Sequence, residues 1–214
     1  MLAYPNIKKM IIHRILNEIF TTYSHVTILR ELRFSKNGFS GREIAKNAGI
    51  SPPSCLAALT RLENLKIVKR QIGGNVHIYT LNFGNYLVKQ GILPLLEIEQ
   101  SLPNKIVALL KKELAKNSIS VILFGSVARL EETNSSDYDL CIVYQTQSDK
   151  KKLEEIINLI RHDFYSQFGI SIAPYFISLS DFKIRAKKKL SPVNNIVKEG
   201  KVIFGKSIRN LLND

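Results

Sequence analysis

Two apolar runs, Val121-Ile-Leu-Phe124 and Leu140-Cys-Ile-Val143, are too short for buried helices and the right length for buried strands. The first runs directly into Gly125-Ser126. The second is opened by Asp137-Tyr-Asp139, and ten residues separate Ser126 from Asp137. On an extended chain, residues two apart face the same way, so this spacing puts both carboxylates on one side and Tyr138 on the other. Gly125 lets the backbone approach an anion closely. Ser126 adds a hydroxyl at the start of a short helix, where unpaired amides favour negative charge. Carboxylate oxygens are donors for Mg2+ or Mn2+ rather than zinc. A pair of such ions about 3.5–4 Å apart steadies the attacking and leaving oxygens of a phosphoryl transfer. The plain structural alternative is a turn rich in Asp and Ser that caps a strand.

The surrounding pattern is an alternating α/β unit: helix 104–117, strand Ile119–Phe124, strand Asp139–Tyr144, helix Ser148–Phe168, strand Ile170–Ile177, helix Ser180–Lys189, a short helix from Ser191-Pro192, and a closing strand Lys201–Phe204. Phe164, Tyr165 and Phe168 read as core residues of the long helix. Phe124 to Val143 (FGSVARLEETNSSDYDLCIV) resembles the signature of the minimal and kanamycin-type nucleotidyltransferases of the DNA polymerase β superfamily. The likeness continues through VKEGKVIFGK at 197–206 and covers about 104–206. It implies a nucleoside triphosphate (NTP) held by Gly125, Ser126 and Arg129. It also implies Asp137 and Asp139 as catalytic metal ligands, and transfer to a hydroxyl acceptor. The family uses a third carboxylate on a neighbouring strand, and here Ile170–Phe176 holds none: Ser171 or Ala173 stands at that place. Asp181, with Ser180, reads as a helix cap, and Asp163 as a solvent-facing residue of the preceding helix. Leu130 replaces the glycine usual after Ala-Arg. Arg129 serves either a phosphate or a pairing with Glu131 or Glu132.

Before residue 102 the pattern is different. Helical spacing covers 6–20 and His25–Phe34. Ser40 with Glu43 three residues on is a capping-box signal for a helix to Ala48, and Ser51-Pro52 starts another reaching Asn64, with Cys55, Leu59 and Leu62 on its buried face. Leu65–Gln71 and Val76–Leu81 read as strands joined through Ile72-Gly-Gly-Asn75. Residues 24–81 resemble the winged helix-turn-helix domains of bacterial and archaeal regulators. The resemblance implies DNA contact by Ser54 and Arg61 on helix 52–64 and by Lys69, Arg70, Asn75 and His77 on the hairpin. The front of that helix (Pro53, Ser54, Leu56, Ala57, Ala58) is nearly free of donors, so it suits readout of DNA shape or thymine methyls, with docking of another protein as the alternative reading.

The expected fold class is therefore α/β (α+β overall), with a winged helix-turn-helix domain at 1–101 and, at 102–214, a polymerase β-like nucleotidyltransferase domain with a mixed sheet flanked by helices. The break is expected at Ser101-Leu-Pro103, after a helical stretch at 84–101 interrupted at Pro94. Formal charge is +13 overall. Residues 1–90 hold 13 Lys/Arg against 4 Glu, a balance of +9, which points to a polyanionic partner or a solvated basic surface. No apolar run has the length of a membrane span, no secretory leader is read at the N-terminus, and Cys55 and Cys141 read as buried free thiols, so a cytoplasmic location is expected. The four histidines lack zinc spacing. Three functions remain open: a nucleotidyltransferase, a DNA-binding regulator whose second domain senses a nucleotide or is catalytically degenerate, and an antitoxin-like module for a toxin-like protein partner. Helices 6–20 or 84–101 offer a seam for a homodimer.

Overall fold

Small polar caps and apolar residues at helical spacing build the first of two units, Met1–Leu102; the second is Pro103–Asp214. The computed structural model describes residues 12–73 and 76–213. Among the described residues the first unit opens with α1 (Ile15–Ile19), within the helix expected over 6–20; residues 6–11 of that stretch lie outside the described residues. After it, α2 (Tyr23–Arg33) is capped by Thr22, whose hydroxyl accepts from the His25 amide at 3.3 Å. The short β1 (Phe39–Ser40) leads into α3 (Gly41–Asn47). Ser40 accepts from the Glu43 amide at 3.3 Å, and the Glu43 carboxylate accepts from the Ser40 amide at 2.8 Å, the capping box legible in the sequence. Ser51 caps α4 (Pro52–Asn64), with proline in its first turn.

The strand expected from Leu65 starts later, as β2 (Val68–Gly73), because 65–67 finish the helix. Lys66 takes a left-handed φ of 61°, and the Lys66 and Ile67 amides donate back to Glu63 O at 2.9 Å and Leu62 O at 3.0 Å. Strand β3 (Val76–Leu81) pairs antiparallel with β2 on one side and β1 on the other. Leu32, Ile44, Cys55, Leu59, Leu62 and Tyr79 are among the residues of one buried core. A π-helical turn at Val88–Ile92 precedes α5 (Leu93–Leu114). Pro94 sits in the first turn of α5, not at an interruption, and the helix passes through Pro103 instead of restarting there. Buried Leu96, Ile106, Leu110 and Leu114 carry the helical spacing across that proline, which removes only one backbone donor.

In the second unit, β4 (Ser120–Leu123), α6 (Gly125–Arg129), β5 (Tyr138–Tyr144), α7 (Gln147–Phe168), β6 (Ile172–Ser178), α8 (Leu179–Lys187), α9 (Val193–Glu199), β7 (Lys201–Gly205) and α10 (Ile208–Asn213) follow in order. The sheet runs β6-β5-β4-β7; β5 and β6 are parallel and the other pairs antiparallel, so it is the mixed sheet expected. Cys141 and Val143 face a core completed by Phe182 of α8, Val193 and Ile196 of α9 and Leu211 of α10. Leu153, Ile157 and Phe164 of α7 are buried, whereas Tyr165 is 65% exposed and so is not the core residue its neighbours suggested. One helical step of about 100° carries it off the buried stripe. The α8 cap is Ser178 and not Ser180: its hydroxyl accepts from the Asp181 amide at 3.1 Å and donates to the Asp181 carboxylate at 2.8 Å.

Candidate functional site

The geometry of this site begins with the turn that leaves β4. Phe124 is still extended, and its amide donates to Asp139 O at 3.1 Å, prolonging the ladder between β4 and β5 by one step. Gly125 then turns into α6 with a φ of +72°. A Cβ at this position would stand 2.1 Å from Asp139 Oδ2, so glycine is required both by the left-handed backbone and by the carboxylate packed against it. Ser126 is half-buried, and its hydroxyl has no hydrogen-bond partner among the described residues. Its carbonyl accepts from the Glu131 amide at 3.0 Å, which closes the loop after α6.

Asp139 is half-buried inside β5, and Asp137 is exposed just before the strand. Burial, and after it the charge of Asp137, push the Asp139 carboxyl above the ordinary carboxylate range, while Arg129 pulls the other way. A carboxylate raised by burial and by a second carboxylate beside it marks a place that favours a divalent ion. The donor set is small. The parallel register sets Asp139 beside Ala173 of β6, the amide of Tyr138 donates to Ser171 O at 2.8 Å, and no group of three His, Cys, Asp or Glu that could hold a metal occurs among the described residues. Asp181 is bound into its own helix cap, and Asp163 is exposed on α7. The residues present therefore suit one hard cation, completed by water and phosphate oxygens, better than two.

Arg129 ends α6. Its Nε donates to Glu131 at 2.8 Å and its Nη1 to Glu199 at 3.0 Å; Glu132 is not its partner. Glu199 lies at the end of α9, 70 residues away in sequence, and no local signal announced it. The next residue, Leu130, holds a φ of 61° and is 79% exposed, a left-handed position where glycine would be unstrained.

Of the residues expected to meet DNA, Ser54, Arg61, Lys69, Arg70 and His77 lie among the described residues of the first unit. Lys69 and Arg70 are adjacent on β2 and so point to opposite faces of the hairpin. Arg70 pairs with Glu63 at 3.1 Å, and Arg61 pairs with Glu18. The Ser54 hydroxyl accepts from Ser51 Oγ at 2.8 Å. His77 is exposed and lines a shallow open hollow with Arg42, Leu56 and Val76, and Asn75 lies outside the described residues. Cys55 and Cys141 are free and buried, and burial pushes the Cys141 thiol up to about 12. Among the described residues no helix is long and apolar enough to cross a membrane.

Residues 104–209 match the protein-family model described as Polymerase beta, Nucleotidyltransferase. No curated protein matches the chain. Among solved structures, a crystal structure of a toxin–antitoxin with AMP-PNP is 20% identical over 51% of this chain and 80% of that one, with a TM-score of 0.34. The MntA-HpeT toxin–antitoxin mutant is 18% identical over 51% and 80% of the two chains, with a TM-score of 0.33. A mutant of ZitR from Lactococcus lactis is 13% identical over 74% and 86%, with a TM-score of 0.33. At these scores and identities the likenesses carry no argument about function.

Proposed function

We propose, on the premise that residues 104–209 form a polymerase β nucleotidyltransferase domain, that this unit binds a nucleoside triphosphate with Mg2+ or Mn2+ and transfers the nucleotidyl group to a hydroxyl acceptor. The observation that carries the reading is the packing of the Asp139 carboxylate against Gly125, which brings an acidic pair and a side-chain-free turn to one point. Gly125 lets the turn lie directly against the Asp139 carboxylate, and the Ser126 hydroxyl is available to donate to phosphate oxygens. Asp137 and Asp139 would hold the cation, which when bound neutralises charge on the phosphates and steadies the leaving oxygen. Arg129, kept in place by Glu131 and Glu199, sits where it moderates the Asp139 charge and can meet a phosphate. In the transfer, the acceptor oxygen bonds to the α-phosphorus, the bond from that phosphorus to its β-bridging oxygen breaks, pyrophosphate leaves, and the acceptor proton passes to water.

Ala173 beside Asp139 leaves that proton without a carboxylate base from β6, so turnover on this reading is slow. The test is incubation of labelled ATP, GTP, CTP and UTP with candidate nucleic acid, small-molecule and protein acceptors in Mg2+. Label should pass to an acceptor, and Asp137→Asn should reduce transfer at least about 100-fold. Absence of transfer and of Mg2+-dependent nucleotide binding in calorimetry would remove the proposal.

The same register favours a second reading, a DNA-binding regulator whose second unit senses a nucleotide without turning it over. In that reading the first unit is a winged helix-turn-helix that meets DNA through Ser54, Arg61, Lys69, Arg70, Asn75 and His77. The pairing of Arg61 and Arg70 with glutamates weighs against this contact set, and exposed Leu56, Ile72 and Val76 weigh toward a toxin-like protein partner or a homodimer. Binding without transfer, together with a duplex affinity that changes on adding NTP, would select the regulator.

A further inference from the structure

Basic charge without an acidic partner collects on the outer face of the three-stranded sheet of the first unit. Along β2, Lys69 and Gln71 alternate with Val68 and Arg70, and Lys69 stands opposite Thr80 of β3. Val68 and Leu81 are buried toward the core, so Lys69, Gln71 and Thr80 lie on the far side from it. The loop after α2 brings Lys36 and Asn37 to the same place, and the turn after β3 brings Phe83, which is 43% exposed. Together they line an open groove of about 370 Å3. No acidic residue lines it, and neither lysine has an ion-pair partner among the described residues, in contrast to Arg61 and Arg70.

From this groove we infer a binding site for single-stranded nucleic acid, separate from α4 and independent of the reaction proposed for the second unit. Lys36 and Lys69 meet phosphates, an unpaired base lies on the Phe83 ring, and Asn37, Gln71 and Thr80 supply donors and acceptors for base edges or sugar. Two features select a single strand. A ring face receives a base only when that base is not stacked inside a duplex, and a lysine pair beside an aromatic ring is the combination that tracks a flexible backbone. The groove is far larger than one phosphate, and the +9 balance of residues 1–90 supplies attraction over a length of chain.

The test is fluorescence anisotropy of the full chain at low salt with a labelled 12-nucleotide single strand, the same sequence as duplex, and a mononucleotide competitor. The single strand should bind at least about tenfold more tightly than the duplex, weaken steeply with added salt, and resist the mononucleotide. Lys36→Glu with Lys69→Glu should cost at least about tenfold and Phe83→Ala about tenfold. Arg42→Glu, beside Leu56 in the other hollow, should stay within about twofold. Phe83→Leu, which keeps apolar bulk without the ring, and Lys36→Gln with Lys69→Gln should reproduce the losses at unchanged melting temperature. Duplex bound as tightly as the single strand, losses in Arg42→Glu but not in the lysine pair, equal competition by mononucleotide, or no binding at all would each overturn the inference. NTP and Mg2+ binding by the second unit is measured separately, so failure here leaves that reading standing.

Discussion

Gly125 and Asp139 are coupled: the carboxylate can lie where it does only because residue 125 has no side chain. Adding a single methyl in Gly125→Ala brings carbon within 2.1 Å of the Asp139 carboxylate and forces a left-handed alanine. The variant should lose about 1–3 kcal/mol in urea unfolding. It should also bind NTP and Mg2+ at least about tenfold more weakly, because the carboxylate must move; an unchanged variant would show that the turn and the carboxylate are not in contact. Asp139 has a second consequence. Its carboxyl is pushed up by burial and then by Asp137, so the folded state holds its proton more tightly than the unfolded chain. This residue therefore favours folding below the ordinary carboxylate range and loses that contribution as pH rises through the raised value. Cation binding makes the opposite demand, since it needs the ionised form. Mg2+ affinity in calorimetry should fall on acidification at a higher pH than for an ordinary aspartate. Arg129→Ala, by removing the group that lowers this carboxyl, should move the midpoint higher still. A midpoint that stays put would remove Arg129 from the site's electrostatics.

At the scale of elements, strand register decides what the site lacks. Parallel pairing of β5 with β6 brings Ala173 alongside Asp139, on the same face of the sheet. Ala173→Asp should install a third carboxylate there and raise nucleotidyl transfer at least about tenfold, read as label incorporated per minute. No gain would mean that the missing base is not what limits the reaction. The short α6 carries its own cost. Leu130 ends it in a left-handed conformation with the side chain in solvent, and Leu130→Gly should stabilise the second unit by about 1 kcal/mol in denaturant unfolding, while leaving nucleotide binding intact. A loss of stability would show that the exposed leucine makes a contact in solution.

For the whole molecule, the division into Met1–Leu102 and Pro103–Asp214 comes with separate buried clusters, one drawn from residues 19–96 and one from residues 122–211. Calorimetric melting should show two transitions. NTP with Mg2+ should raise one of them, by about 2.7 kcal/mol of stabilisation at a hundred times the dissociation constant, and leave the other in place. A single transition that shifts as a whole would mean that the units unfold together.

Most elements were legible because their signals are local. The Ser40–Glu43 capping box, the Ser51-Pro52 start of α4, the apolar run of β5 and the Gly125-Ser126 to Asp137-Tyr-Asp139 spacing are each set within a short stretch of chain. Boundaries that depend on packing were not: α5 runs through Pro103, β2 waits for the Lys66 turn, and Tyr165 falls outside the buried stripe. The sequence alone determined which residue types could meet a nucleotide and a cation, because residue identity and spacing two apart are properties of the chain. Only the tertiary structure decided what stands beside them. Ala173 paired beside Asp139, Glu199 on Arg129, and Lys36, Lys69 and Phe83 along one groove come from separate segments, and register and packing, not local preference, bring such segments together.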